Sequence, residues 1–234
     1  MKNALLLIPF LCLSLFLQAQ VIKPVNITAG GLSSFVNREG KYDITQLTVT
    51  GTIDARDFKT MRDSLPHLSV VDLSGSRIVA YSTKGYNGTN ISSTIDWNTG
   101  SMRDSVVFNT SDGYNFAIDE VPIFALRANE TLLSIILPFT ATAVSDEAFM
   151  ACRGLSSITI PEKITRIESR AFSECRSLKT IIVKSAIPLD LSDKPEVFKG
   201  VNKNTCTLFV PVGSKGKYEA AAGWKEFKKI VETK

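Results

Sequence analysis

A 23-residue repeat constrains the fold of this 234-residue chain more than any other feature of its sequence. At that spacing the segments ALRANETLLSIILP, AFMACRGLSSITIP and AFSECRSLKTIIVK align, and they begin at Ala125, Ala148 and Ala171. A unit this short cannot bury its apolar residues alone, so successive copies must stack and share one core. The repeat therefore predicts a solenoid in which each copy adds one short strand to a parallel sheet.

The last part of each copy predicts a strand and the direction of its side chains. The shared pattern is L-x-x-I-x-[LIV], which begins at Leu132, Leu155 and Leu178. Because strand side chains alternate, the isoleucine and the final aliphatic residue are expected to point inward, and the residue between them outward. The outward residues of the three copies are Ile136, Thr159 and Ile182.

Three further segments extend this predicted sheet. Leu68–Leu73 precedes the repeats, and Leu47–Val49 lies 24 residues before the equivalent residues Val71–Leu73. Thr207–Pro211 is predicted to be the last strand. The outward row places three apolar residues where a soluble monomer would rather have polar ones, which favours a partner-binding surface. The alternative is that the insertion or a neighbouring loop folds over it. The candidate partner-binding residues of this row are Asp72, Ile136, Thr159, Ile182 and Phe209.

Helices are predicted at both ends of the sheet. Asp54 is expected to cap one helix, and residues 32–36 have the spacing of a short amphipathic helix that would cover the first strand. A third helix, at residues 217–222, is expected to stop at Gly223, after which apolar residues close the stack. The apolar residues assigned to these segments are Leu32, Phe35, Val36, Phe58, Met61, Leu65, Trp224, Phe227 and Ile230.

Three regions of the chain carry a resemblance to a known family. The pattern A-F-x-x-C-x-x-L-x-x-I-x-I-P in the second and third copies resembles the BspA-like leucine-rich repeat of bacterial surface proteins. The segment VPVGSKGKYEAAAGWKEF (Val210 to Phe227) is similar to that family's terminal cap, and TVTGTIDARDF with VVDLSGSRI resembles its N-terminal part. The first copy departs from the pattern at Leu126 and Asn129.

This resemblance implies a fold and a role. The implied fold is an α/β leucine-rich-repeat solenoid with short parallel strands, a helical N-terminal cap and a C-terminal helical cap. The implied role is that of a secreted or cell-surface binding protein, often adhesive, with no catalytic residues to carry over.

The first residues predict export. Lys2, the apolar run Ala4–Leu17 and the small residue Ala19 indicate a removed signal peptide over residues 1–19, and the run is too short for a membrane span. The protein is then secreted, attached to the cell surface or periplasmic. The remaining divisions are an N-terminal cap with first repeats (20–80), an irregular insertion (81–120), the repeats (121–212) and a C-terminal cap (213–234).

The insertion suggests a second binding mode. Its stretch from residue 81 to 118 is rich in Ser, Thr, Asn and Gly, and it carries several aromatic residues. Aromatic rings stack on sugar faces, so the alternative function is that of a carbohydrate-binding module; the simpler explanation is that the rings hold the loop against its own domain. The candidate aromatic residues are Tyr86, Trp97 and Tyr114.

The sequence lacks the patterns of an enzyme or a metal site. His67 is the only histidine, beside Pro66 in a predicted turn, and no G-x-S-x-G or phosphate-binding glycine loop occurs. The pairs Asp119–Glu120 and Asp146–Glu147 are interpreted as turn-forming or solvated acids rather than a glycosidase pair. No catalytic residue, cofactor or metal is expected.

The charge of the chain argues against one class of partner, and its cysteines are expected to be structural. Without Lys2 the chain has 26 Lys and Arg against 23 Asp and Glu, which does not favour nucleic acid. Cys152 and Cys175 hold the same repeat position, so a disulfide is geometrically possible, but free buried thiols are the favoured interpretation, with Cys206 also in the core. The expected partner is an extracellular protein or matrix component, or else a glycan.

Overall fold

The computed structural model describes residues 24–82 and 115–233. Short strands dominate this part of the chain, with helices mainly near its start and end. In chain order the elements are β1 (Val25–Ile27), α1 (Leu32–Glu39), β2 (Gln46–Ile53), α2 (Ala55–Ser64), β3 (Val70–Asp72), β4 (Ser76–Ile78), β5 (Tyr81–Ser82), β6 (Asn115–Phe116), β7 (Glu120–Val121), β8 (Ser134–Ile136), β9 (Ala143–Val144), β10 (Ser157–Ile160), β11 (Arg166–Ile167), β12 (Thr180–Val183), β13 (Thr207–Pro211), α3 (Lys215–Ala220) and β14 (Lys229–Thr233).

The main sheet has nine strands in the order β1-β2-β3-β8-β10-β12-β13-β14, and β4 pairs with the second half of β2. Its pairings are all parallel. Ile135, Ile158 and Ile181 are register partners, so the 23-residue repeat is also the spacing of the strands. The predicted parallel sheet of short strands is confirmed.

The sheet is continuous across the predicted insertion. Val71 of β3 is the register partner of Ile135 of β8, although 64 residues separate them in sequence. Before them, Leu47 of β2 pairs with Val71, as the 24-residue spacing predicts. The strands on either side of the insertion therefore belong to one sheet.

The prediction that Thr207–Pro211 is the last strand is wrong. β14 follows it and pairs with β13 over five residues, from Thr207↔Lys229 to Pro211↔Thr233. The spacing explains the error, because β14 lies 22 residues after β13 and its segment KIVET lacks the leucine that opens the repeat pattern. Ile230, expected to close the stack near a helix, is instead an inward residue of this strand.

A second, smaller ladder runs beside the main sheet. β7, β9 and β11 pair in parallel, with Glu120↔Ala143 and Ala143↔Arg166 as partners, again 23 residues apart. Thr142 and Thr165 continue the ladder through bonds from their backbone N–H groups to the preceding 23-residue repeat, which we call a coil. Each repeat thus supplies two strands, which the sequence analysis did not predict.

The core lies between these ladders and consists of stacked equivalent residues. Leu132, Leu155 and Leu178 are buried. Phe149 stacks on Phe172 at a centroid distance of 5.4 Å, and the column continues through Phe198 to Trp224. Stacking of like side chains on successive coils is what makes units of this size stable, because no unit buries its own apolar face.

The N-terminal helices agree with the sequence predictions. Asp54 caps α2 by accepting a bond from the backbone N–H of Arg56, and Asp57 completes a capping box. Phe58, Met61 and Leu65 are buried, as are Leu32 and Val36 of α1. In the described residues, no helix is long and apolar enough to span a bilayer.

Candidate binding face

The outward residues of the main sheet form a straight row. Asp72, Ile136, Thr159, Ile182 and Phe209 are register partners on successive strands, as predicted. The row also extends by one residue at each end, to Thr48 on β2 and Val231 on β14. The outer row therefore comprises Thr48, Asp72, Ile136, Thr159, Ile182, Phe209 and Val231.

A second outward row lies two residues earlier on each strand. Register pairs join Ser134, Ser157, Thr180 and Thr207, so four hydroxyl groups lie side by side. We call this the hydroxyl row; it begins with Gln46 and Val70 and ends at Lys229. The sequence did not indicate this row, because small hydroxyl residues in single strands carry no strong signal.

Alternation along the strands explains why both rows face outward. β10 and β12 each show the pattern partly exposed, buried, partly exposed, buried. The residues between the two rows are buried aliphatic residues that belong to the core. A shift of one residue would expose the core, so the hydrophobic pattern holds both rows in place. These inward residues are Leu47, Val71, Ile135, Ile158, Ile181, Leu208 and Ile230.

Together the two rows form the candidate binding face. Along the outer row, the side chains from β3 to β13 are partly exposed, because neighbours one strand away shield their sides, and Val231 on the last strand is 43% exposed. Leu133, which directly precedes β8, is 49% exposed, and Phe139, beyond its other end, is 57% exposed. Exposed apolar groups around a regular surface can be removed from water by a partner.

Charge differs between the two ends of this face. Near the N-terminal end Asp72 accepts a bond from the backbone N–H of Ser74, at 2.9 Å, and is partly exposed. At the other end Lys228 and Lys229 are exposed at the start of β14. The face therefore has an acidic side chain near its beginning and basic ones at its end.

The acidic pairs of the sequence analysis are structural. Asp146 and Glu147 occupy a turn, as predicted, and Glu147 is buried there rather than solvated. Its carboxylate pairs with Arg127 at 2.5 Å and Arg170 at 2.9 Å, and Arg170 also pairs with Asp146 at 3.3 Å. Burial lowers the pKa of Arg127, and the Glu147 carboxylate opposes that shift. This cluster of two arginines and two carboxylates joins successive coils.

The second acidic pair also joins coils. Glu120 accepts a hydrogen bond from Ser145 at 2.7 Å and pairs with Arg166 at 3.0 Å, while Arg77 pairs with Asp119 at 3.3 Å. Arg166 also pairs with Glu168. Burial acts to raise the pKa of Glu168, but hydrogen bonds from Arg166 and Lys194 outweigh it and lower that pKa.

A cleft of about 210 Å³ opens beside Glu120. Asn115, Phe116 and Ser145 are among its lining residues. The Glu120 carboxylate inside it is already bonded to Ser145 and Arg166. The described lining holds no other acidic side chain with which Glu120 could form a glycosidase pair.

The three cysteines of the described residues are free and buried, as favoured. The thiol of Cys152 donates to the carbonyl of Leu126 at 2.9 Å, and that of Cys175 donates to the equivalent carbonyl of Phe149 at 3.1 Å. Burial raises the pKa of Cys175 to about 12. In the first coil the Asn129 side chain instead accepts bonds from the backbone N–H groups of Thr131 and Leu132.

The other candidate functional residues are His67, which the structure describes, and the candidate aromatic residues of the insertion, which it does not. His67 lies in a turn, as predicted, with its Nδ1 2.9 Å from the carbonyl oxygen of Tyr42. Across residues 24–82 and 115–233, no group of three or more His, Cys, Asp or Glu could hold a metal ion. The proposed sugar-stacking residues Tyr86, Trp97 and Tyr114, and the predicted signal peptide over 1–19, lie outside the described residues.

Comparison with known proteins agrees with the repeat geometry. Residues 120–194 match the BspA type leucine rich repeat region, in six copies. No curated protein matches the chain. Repeats of this family are generally non-enzymatic binding scaffolds that suggest protein–protein interaction, and proteins that carry them are often secreted or on the cell surface.

Proposed function

The chain carries BspA type leucine-rich repeats over residues 120–194, and from this premise we propose that it binds an extracellular protein or matrix component through the outer row and the hydroxyl row. The main observation in support of this proposal is the unbroken register of the outer row, from Thr48 on β2 to Val231 on β14. A surface of this kind presents apolar and hydroxyl groups at a regular spacing of about 4.8 Å.

The rigidity of the face supports binding. Behind it lie the buried leucine and phenylalanine columns, so its backbone is already ordered before a partner arrives. Binding is weaker when side chains or loops must first become ordered, because that ordering costs conformational entropy. A preformed surface reduces this cost. The hydroxyl row adds donors and acceptors without the conformational entropy of long side chains.

A solenoid with terminal lids is the architecture we propose for this function. Two ladders with one 23-residue spacing support it. The proposed lids are α1 at the N-terminal end and α3 with β14 at the C-terminal end, where Trp224 and Phe227 cover Phe198. The proposed divisions remain 20–80, 81–120, 121–212 and 213–234.

Export and an adhesive role complete the proposal. The support for export is the charged start and apolar run of residues 1–19, and the support for adhesion is the exposed apolar character of the face. The mature chain is expected to begin at Gln20. Secretion into the medium, the periplasm and attachment to the cell surface are all compatible with this leader.

Capture experiments test the binding face. The chain from Gln20, immobilised and exposed to extracellular protein, is compared with Thr159→Arg and Ile182→Arg, each of which places a long charged side chain in the outer row. We expect the captured partner to be lost with both variants, because an unpaired charge would be desolvated at the interface.

The matched control is Glu162→Arg, an exposed turn position between β10 and β11. It should retain the partner, and circular dichroism should show the same fold for all variants. A partner captured equally by the wild type and both face variants would contradict the proposal. A glycan-array signal that disappears in Trp97→Ala, with no captured protein, would instead support the carbohydrate-binding alternative.

A further inference from the structure

The C-terminal end of the binding face differs from the rest in its apolar character. Ile182, Phe209 and Val231 are consecutive members of the outer row, on β12, β13 and β14. Earlier in the row the apolar Ile136 lies between polar Asp72 and Thr159. Three adjacent apolar side chains therefore occur at one end only.

Four lysines flank two of the three strands that carry this apolar trio. Lys179 precedes β12 and Lys184 follows it, while Lys228 and Lys229 lie at the start of β14. All four are exposed. Lys229 is the register partner of Thr207, so it ends the hydroxyl row directly beside the outer row. We call the trio and these four lysines the C-terminal patch.

None of the four ammonium groups forms an ion pair with a described residue. Nearby lysines do have partners: Lys194 pairs with Glu168, Lys199 with Glu196 and Lys203 with Glu226. The acidic residue of β14, Glu232, alternates away from the face and accepts a bond from the backbone N–H of Lys215. The positive charge of the patch is thus not neutralised within the described chain.

An apolar centre with a charged rim has the composition of a protein interface. Exposed cations that have no internal partner accelerate association with an acidic surface and disfavour a basic one. Asp72 lies on β3, five strands away from β14, and gives the other end of the face the opposite sign. The charge arrangement therefore also orients the partner.

From these contacts we propose that the C-terminal patch docks an acidic protein segment whose apolar side chains cover Ile182, Phe209 and Val231. This inference rests on the proposed function and specifies the partner's chemistry. A lipid surface fits less well, because the trio lies within a sheet and does not project as a loop that could enter the acyl region. A sulfated glycan would pair with the lysines but leave the apolar trio uncovered.

A peptide probe tests the inference. The probe is a fluorescent twelve-residue peptide in which aspartate alternates with leucine and phenylalanine, and its control replaces every aspartate with asparagine. The protein is the chain from Gln20, its triple variant Lys179→Glu, Lys184→Glu, Lys229→Glu, and a matched triple variant with the same charge change at exposed sites outside the patch. The matched sites are Lys41, Lys163 and Lys217.

We expect the wild type to bind the acidic peptide and to bind it more weakly in high salt. The patch variant should lose affinity by about ten-fold or more, while the matched variant stays within about two-fold, because opposite charges across an interface must be close to contribute strongly. Fluorescence anisotropy measures both. The asparagine peptide should bind weakly to all three proteins.

Three results would overturn the inference: no binding of the acidic peptide, equal loss in both triple variants, or tighter binding of phosphatidylserine vesicles or heparin than of the peptide. The capture experiment separates this failure from that of the proposed function. If Ile182→Arg abolishes capture and the lysine reversal does not, the face binds a protein that is not acidic.

Discussion

At the scale of single residues, the repeat contains strained backbone positions that its sequence does not predict. Phe124, Glu147 and Arg170 have φ between 52° and 58° and lie 23 residues apart, and Ala128, Ala151 and Glu174 form a second such series with φ between 53° and 61°. Side chains at positive φ are disfavoured by roughly 1–2 kcal/mol per residue. In the next coil Gly200 takes the position equivalent to Glu174, with φ of 81°.

Glycine at this position should stabilise an earlier coil. We expect Ala151→Gly to raise the free energy of unfolding by about 0.5–1 kcal/mol, because relief of the left-handed strain exceeds the added entropy of the unfolded chain. Ala148→Gly, at a buried position without positive φ, should lower it by about 1 kcal/mol. Urea unfolding measures both, and a destabilised Ala151→Gly would contradict the expectation.

The buried thiols give a prediction about reactivity and pH. Burial raises the pKa of Cys175 and Cys206 to about 12 and that of Cys152 well above its usual value. Because thiolate is the reactive form, a thiol reagent at pH 8 should modify the folded mature chain very slowly and the denatured chain at once. An added exposed cysteine, Ser192→Cys, is the positive control.

The same pKa shifts imply a loss of stability at high pH. Above about pH 8.5 the thiols of the unfolded chain ionise while the buried ones stay protonated, so the free energy of unfolding falls as pH rises towards 12. Urea unfolding at pH 8 and pH 10 measures the difference, which should be smaller in Cys175→Ala. A stability that is flat over this range in the wild type would refute the burial argument.

At the scale of elements, one carboxylate connects the first two helices. Asp57 is buried in the first turn of α2 and accepts bonds from the backbone N–H groups of Gly30, Leu32 and Asp54, at 2.7–3.0 Å. Asp54 accepts bonds from the backbone N–H groups of Arg56 and Asp57, both within the first turn of its own helix. Asp57 therefore joins the beginning of α1 to α2, in addition to its role in the capping box.

Removal of the two carboxylates should have unequal effects. Asp54→Ala should cost about 1 kcal/mol, the usual loss for a helix cap. Asp57→Ala should cost roughly 2–4 kcal/mol, because three backbone donors lose their acceptor in a buried site. Thermal or urea unfolding measures both variants, and equal losses would mean that the contacts with Gly30 and Leu32 contribute nothing.

At the scale of the whole molecule, the predicted insertion begins and ends at one place. Tyr81 and Ser82 of β5 pair antiparallel with Phe116 and Asn115 of β6, and the Tyr81 and Phe116 rings stack at 6.2 Å. The guanidinium of Arg56 lies 4.7 Å from the Tyr81 ring. The main sheet passes directly from β3 to β8.

Replacement of residues 83–114 by Asn-Gly should therefore leave the sheet intact. That dipeptide favours the tight turn of a two-residue hairpin, which the antiparallel pair β5–β6 requires. We expect unchanged far-ultraviolet circular dichroism and an unfolding free energy within about 1 kcal/mol of the wild type, since loop length has a small effect. Insolubility or loss of cooperative unfolding would show that the replaced segment belongs to the core.

The same deletion separates the two binding modes. Binding through the outer row should survive it, whereas sugar recognition by Trp97 would be lost. The capture assay and the glycan array, applied to the shortened chain, measure these outcomes. Loss of protein capture with a retained fold would move the binding site from the sheet to the insertion.

The sequence by itself determined the features that repeat at a constant spacing. Equivalent apolar residues 23 apart are sufficient to predict the strands β8, β10 and β12, their register and the residues of the outer row, because only one alignment buries every inward side chain. The helix at Asp54 was predictable too, since capping and amphipathic spacing act within one turn. The apolar residues of that row indicated a partner-binding surface, and the family resemblance added that it binds outside the cytoplasm.

Tertiary structure alone decided what depends on contacts between distant segments. Sequence spacing did not predict β14, because its distance from β13 departs from the period and its place is determined by packing of Trp224 and Phe227 on Phe198. The burial of Glu147 follows from arginines one coil away on either side, which no local pattern relates. The same holds for the four patch lysines, which pair with no described residue, because only folding brings Ile182, Phe209 and Val231 together beside them.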